Sequence, residues 1–185
     1  MSEISKVYEA RPIEESGRDA VELACYDLLE KLQIPFRRVD HEAAQTMEDC
    51  VAIGQVLGGE VCKNLFLCNR QQTQFYLLLM EGEKKFHTKD LSSQLGVSRL
   101  SFAGPEHMQE LLGVRPGSAS VLGLQNDLEG KVRLLIDKPL LEKEWFGCHP
   151  CRNTSTLLLR TKDVLEQLIP ALCHPYTVVD LPADE

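Results

Sequence analysis

A chain of 185 residues, 43% hydrophobic and 26% charged, is long enough to close one core and has the balance of an ordinary globular protein. Its net charge of −8 argues against a protein that coats nucleic acid indiscriminately, while leaving room for a local basic site for one end of an RNA. No apolar run reaches the length of a membrane span, and the opening Met1-Ser2-Glu3-Ile4-Ser5-Lys6 lacks a hydrophobic signal region, so a cytoplasmic protein is expected.

Residues 1–18 are polar, with little periodicity, and read as an irregular arm. Residues 19–185 read as a single domain, because no linker or shift of composition divides them. Over residues 20–33 the apolar positions Val21, Ala24, Cys25, Leu28, Leu29 and Leu32 recur at helical spacing. Pro35 ends that helix before a short strand over residues 36–39. Thr46 followed by Asp49 predicts a capped helix start, with the helix running through Val51 and Val56 to Gly58-Gly59. Residues 63–67 and 74–80 read as strands joined by a polar turn, a hairpin near the centre of a sheet. Thr88-Lys89-Asp90-Leu91 and Thr161-Lys162-Asp163-Val164 each open a helical pattern, with Thr expected at the cap and Asp in the first turn. A short strand over residues 99–102 precedes a helix that starts at Pro105 and runs to Leu112. Residues 131–137 and 154–160 supply two more strands, and a last helix runs from Asp163 towards Pro170. Strands and helices mixed in this order define an α/β domain.

The segment Gly113-Val114-Arg115-Pro116-Gly117-Ser118-Ala119-Ser120 is punctuated as an irregular loop, expected to lead into an apolar strand beginning at Val121 and then a turn. Gly117 has no Cβ, so another group can approach its backbone. The small side chains of Ser118, Ala119 and Ser120 leave the following amides open, which suits a carbonyl or a developing oxyanion. An ordinary tight loop has the same composition.

Lys63, beside Asn64 at the mouth of an apolar strand, suits a phosphate or ribose, or equally an edge strand guarded against aggregation. His149-Pro150 with Asn153-Thr154 forms a second polar cluster, able to position a substrate or water, though a lone histidine also serves as a satisfied core residue. Cys148-His149-Pro150-Cys151 has the spacing of a thioredoxin-type redox site, where a helix start would lower a thiol pKa. Only 34 residues come after Cys151, however, whereas that fold carries its motif near the start. The seven cysteines are odd in number and scattered through apolar segments, as reduced packing cysteines are. Zinc lacks a second Cys/His pair at ligand spacing. Dinucleotide, phosphate-loop and Gly-x-Ser-x-Gly signatures do not occur.

Five segments in register resemble the prolyl-tRNA synthetase editing-domain (YbaK-like) family and its free-standing members. They are Cys62-Lys63-Asn64-Leu65-Phe66-Leu67, Arg99-Leu100-Ser101-Phe102-Ala103, Leu112-Gly113-Val114-Arg115-Pro116-Gly117-Ser118, Leu124-Gln125-Asn126-Asp127 and His149-Pro150-Cys151-Arg152-Asn153-Thr154. The resemblance spans residues 20–172 and is nearest to the free-standing, alanine-directed ProX or PrdX-like branch. It implies a strongly curved, barrel-like mixed sheet surrounded by helices, and hydrolysis of alanine wrongly attached to proline tRNA. It implies no cofactor and no metal. The partner it implies is the acceptor end of the tRNA, with prolyl-tRNA synthetase as a second partner and no membrane. Catalytic roles would fall to Lys63, Gly117, Ser118 and His149, with Lys63 on the terminal adenosine, the Gly117 loop on the aminoacyl carbonyl and His149 on the ester. Asn64, Arg99, Ala119, Ser120, Asn126 and Asn153 would bind substrate or tRNA. The tRNA 2′-hydroxyl would assist, so no protein nucleophile is needed. The family loop runs Gly-x-x-x-Pro; here Val121 stands at the last position, without the rigidity of Pro. Alternatives are a deacylase for cysteinyl- or seryl-tRNA, a tRNA-binding module without hydrolysis, and a thiol oxidoreductase using Cys148 and Cys151.

Overall fold

The most apolar stretch of the chain becomes the centre of the larger sheet. The computed structural model describes residues 3–183. In it, β3 (Phe75–Met80) is buried along its whole length, as a strand covered on both faces must be. The strand β2 (Lys63–Cys68) pairs with it antiparallel, from Lys63↔Met80 to Cys68↔Phe75, which is the expected hairpin. With β4 (Ser101–Phe102), β5 (Val132–Asp137) and β8 (Tyr176–Val179) these form a five-stranded sheet of order β4-β2-β3-β5-β8, in which β3, β5 and β8 run parallel. A second, antiparallel sheet has the order β1-β7-β6, built from β1 (Arg37–Asp40), β6 (Trp145–Cys148) and β7 (Ser155–Arg160).

The fold is therefore mixed α/β, but the strands fall into two open sheets in place of one barrel-like sheet. A single parallel bridge, Val61↔Gly147, links them. Gly147 permits this approach, since a Cβ there would lie 2.7 Å from the Glu60 carbonyl oxygen.

Each helix lays an apolar stripe on a sheet face. The helix α1 (Ala20–Lys31) packs Cys25, Tyr26 and Leu29 into the core that holds Phe66, Leu77 and Leu134. On the opposite face α3 (Thr88–Leu95) contributes Leu91 to a cluster with Leu78, Met80 and Leu135. The small sheet is covered by α2 (Met47–Leu57), whose Ile53 and Leu57 meet Val39 and Leu158. Its start carries the capping box read from Thr46 and Asp49, with the Thr46 hydroxyl accepting from the Asp49 amide at 3.1 Å.

Several boundaries differ from expectation. The cap positions of the two Thr-Lys-Asp helices fall one residue earlier, on His87 and Arg160, so Thr88 and Thr161 are first helical residues. The short α4 (Pro105–His107) continues as a π-helix over Met108–Leu112 and stops at Gly113, whose φ of +68° suits a residue without Cβ. The Gly117 loop leads into a 3₁₀ helix, Val121–Asn126, and not into a strand. The last helix is a composite, α5 (Thr161–Asp163), a π-helix over Val164–Leu168 and α6 (Ile169–Ala171). The arm lies along β1 through bridges Ile4↔His41 and Tyr8↔Arg38. Among the described residues no helix is long and apolar enough to cross a membrane.

Candidate functional site

The Gly117 loop is held from both ends by bonds that leave its middle open. Ser118 closes a turn on Arg115: its hydroxyl donates to the Arg115 carbonyl at 2.8 Å and accepts the Arg115 amide at 3.0 Å. Its own amide also donates to the Arg115 carbonyl, at 2.9 Å. Ser120 caps the adjoining 3₁₀ helix, its hydroxyl accepting from the Leu122 amide at 3.2 Å. The Val121 amide donates to the Asn64 side-chain oxygen at 3.0 Å, which ties the loop to β2. Between these anchors the amides of Gly117, Ala119 and Ser120 meet no acceptor among the described residues. Gly117 is exposed and sits at φ +85°, in the left-handed region.

The turn between β6 and β7 closes on the same place. Arg152 reaches across to the Gly113 carbonyl at 3.1 Å and pairs with Asp19, which fastens the turn to the start of the loop. Asn153 lies against Gly117, such that a Cβ added there would be 3.3 Å from the Asn153 amide nitrogen. The Asn153 carbonyl accepts from the Ala44 amide at 3.3 Å, which brings in the connector before α2. His149, at the head of the turn, donates from Nδ1 to the Ser155 carbonyl at 2.9 Å. The Ser155 oxygen can only accept, so the proton is on Nδ1 and Nε2 keeps its lone pair. Nε2 has no protein partner among the described residues. Burial holds the His149 imidazole neutral, with its pKa pushed down to about 4 and His41 adding a smaller push the same way.

The structure thus gathers Asn64, Gly117, Ala119, Ser120 and Asn153 at one loop, with His149 at the head of the turn that carries Asn153. Ser118 is in the same loop, but both its hydroxyl contacts close the turn. Lys63 obeys the alternation of a strand: Asn64 faces the loop, while the Lys63 ammonium donates to the Lys84 carbonyl at 2.6 Å. Burial lowers the Lys63 pKa. Asn126 supports the loop from behind, donating to the Leu112 carbonyl at 2.9 Å. Arg99 stands apart, exposed beside Phe86 and Phe102. Two residues that the sequence does not single out complete the surroundings of His149. These are His41, whose ring centre is 6.2 Å from that of His149, and Thr156, whose hydroxyl bonds both rings. Nothing local marks them, since they meet only through the pairing of β1 with β7.

The two motif cysteines are packed, not poised. Cys148 is buried and its thiol is driven well above its ordinary pKa by burial, opposite to the depression that a reactive Cys-x-x-Cys thiol needs. Cys151 is equally buried, with its sulfur 3.6 Å from that of Cys25 on α1.

This arrangement, a loop with unpartnered amides beside the turn that carries a neutral histidine, within a mixed α/β fold, can chemically accept a carbonyl oxygen. Residues 41–166 match the model of the aminoacyl-tRNA editing domain, and the chain belongs to that family. It is 29% identical over 153 residues to the prolyl-tRNA editing protein ProX of Acetoanaerobium sticklandii, covering 83% of this chain and 93% of that one. It is 34% identical over 133 residues to the mouse (Mus musculus) prolyl-tRNA synthetase associated domain-containing protein 1, covering 69% of this chain and 77% of the relative. A crystal structure described as a candidate trans-editing enzyme for prolyl tRNA synthetase superposes with a TM-score of 0.67 at 17% identity, covering 90% of this chain and 99% of that one. That last likeness concerns the fold alone.

Proposed function

We propose that this protein is a cytoplasmic, free-standing deacylase that hydrolyses alanine from mischarged proline tRNA. The observation that carries the proposal is the set of unpartnered amides at Gly117, Ala119 and Ser120, in a loop anchored by Asn64 and flanked by Asn153. An ester carbonyl seated there gains hydrogen bonds that strengthen as negative charge gathers on its oxygen. Water, assisted by the neighbouring 2′-hydroxyl of the terminal adenosine, adds to the carbonyl carbon. The tetrahedral intermediate then collapses, releasing the amino acid and leaving the tRNA 3′-oxygen protonated. His149 Nε2, a lone pair on a ring that does not take up a proton at neutral pH, accepts a hydrogen bond from the substrate and orients it.

No protein nucleophile is required, because an aminoacyl ester is already activated and orientation supplies much of the rate. The substrate class also has a physical rationale. A synthetase site built for proline rejects the smaller alanine poorly, since each missing methylene is worth only about 1–3 kcal/mol. A second site that admits alanine and excludes proline corrects the error. ProX carries prolyl-tRNA editing in its name, which supports the same substrate family. The acceptor end of the tRNA is the expected partner, and Lys63 and Asn64 lie at the strand entrance nearest the loop.

A panel of proline tRNA charged with alanine, cysteine, serine or proline tests the reading. Fast release of alanine with proline retained supports it. Turnover of none of the four would leave a binding module instead.

A further inference from the structure

Behind His149 runs a hydrogen-bond chain whose direction is forced. The His41 Nδ1 lies 2.7 Å from the Glu42 carbonyl, and the His149 Nδ1 lies 2.9 Å from the Ser155 carbonyl. Carbonyl oxygens only accept, so both neutral rings carry their proton on Nδ1. The bare Nε2 of His41 then needs a donor, and the Thr156 hydroxyl provides one at 2.8 Å. A hydroxyl has one proton. With that proton committed to His41, the Thr156 oxygen presents lone pairs to His149 Nδ1, 3.2 Å away. Thr156 is fully buried and His41 nearly so, so water does not substitute for either.

From this we infer that Thr156 and His41 are positioning residues that hold His149 in the single tautomer with its Nε2 lone pair directed at the substrate. The inference deepens the deacylase reading and rests on it for its catalytic consequence. The rest of the surroundings favours the same state. Ser155, whose carbonyl holds His149, donates its hydroxyl to Asp40 at 2.6 Å, and Asp40 is fixed in turn by Arg18 and Arg38. Burial keeps His41 below its ordinary pKa, against the pull of Asp40 and Asp49. Both rings are therefore neutral together, and the chain ends on an acceptor. If Thr156 lacked its hydroxyl, His41 Nε2 would have no donor and His149 Nδ1 would keep only the Ser155 carbonyl.

Long-range proton–nitrogen NMR of the ¹⁵N-labelled full chain reads the tautomer directly, because bare and protonated ring nitrogens resonate far apart. In the unmodified protein at neutral pH, both His41 and His149 should show a bare Nε2 and a protonated Nδ1. A protonated Nε2 on either ring overturns the inference without any variant. Thr156→Val, which keeps the shape and removes the hydroxyl, leaves the Ser155 carbonyl alone to hold the His149 proton and should move the two His149 nitrogen shifts measurably towards each other without averaging them. It should also lower the single-turnover rate on alanyl-tRNA about two- to tenfold, the weight of one hydrogen bond. Thr156→Ser should restore both. Unchanged nitrogen shifts in a folded Thr156→Val protein would overturn the positioning role. Failure to hydrolyse any aminoacyl-tRNA would sink the deacylase reading alone, since the nitrogen shifts are measured without substrate.

Discussion

Two polar clusters in this molecule are built in opposite ways. At the carboxyl end of β5, Asp137 is completely buried and every contact there is matched. One carboxylate oxygen takes the Lys84 ammonium at 2.7 Å, the other takes the Leu181 amide at 2.9 Å, and Lys84 also donates to the Leu181 carbonyl. In the Gly117 loop the side chains are matched in the same way, but three backbone amides, and Nε2 of His149 on the adjoining turn, have no partner among the described residues. The first cluster is a clamp for the C-terminal segment, and the second, on the proposed function, is where the ester carbonyl binds. A saturated buried network rigidifies, whereas open donors held rigid by their neighbours are what a developing oxyanion uses.

Mutation should separate the two clusters cleanly. Asp137→Ala leaves Lys84 buried without its partner and should cost about 3–5 kcal/mol of stability. Urea denaturation would measure this, and turnover per folded molecule should stay unchanged. A loss of turnover without loss of stability would mean that the clamp belongs to the site. Gly117→Ala should do the reverse. It places a Cβ on a left-handed backbone beside Asn153, and the displaced amides should lower the deacylation rate about 10- to 100-fold while the backbone strain costs only about 1–2 kcal/mol of stability, less than the loss at Asp137.

Acid offers a third separation, with a calculable sign. His149 titrates at about 4 in the fold and near 6.5 when unfolded, so below pH 6.5 the unfolded chain binds more protons. Stability must then fall as the pH falls from about 6.5 towards 4, by an amount on the order of 2 kcal/mol between pH 7 and pH 5 from this residue. Denaturation at the two pH values should show a smaller drop for His149→Gln than for the unmodified protein. An equal drop would place the imidazole in water.

The smallest effect concerns the position where the family loop has Pro. Val121 begins the 3₁₀ helix, where the fixed φ of Pro is tolerated. Its amide, however, is the donor that ties the loop to Asn64. Val121→Pro should therefore lower turnover about fivefold, the net value of one hydrogen bond, and an Asn64→Leu variant should be insensitive to it. Raised turnover would mean that stiffness outweighs the anchor.

Much of this architecture is legible in the sequence where local chemistry decides it. The Thr46 and Asp49 capping box, the helix over α1 and the β2–β3 hairpin all derive from spacing and composition. The run Val121-Leu122-Gly123-Leu124 reads as a buried strand, yet forms a 3₁₀ helix. Four consecutive buried apolar residues do not reveal their period, and the outcome is decided by the Ser120 cap and by Gly123 pressing on the Leu112 carbonyl. The same holds for the site. Gly117 and His149 are visible as a loop glycine and a polar turn. The Asn64 bond to Val121 spans 57 positions and the His41 bond to Thr156 spans 115, so both exist only once the sheets have formed.

The central claim is that the loop acts through its backbone. Single-turnover deacylation of alanyl-tRNA(Pro) by Gly117→Ala and Ser118→Ala, compared side by side, tests this most directly. The Ser118 hydroxyl only closes a turn, so its removal should cost no more than a few-fold, while Gly117→Ala loses at least about an order of magnitude. Equal losses in the two variants would assign the chemistry to a side-chain hydroxyl and contradict the account.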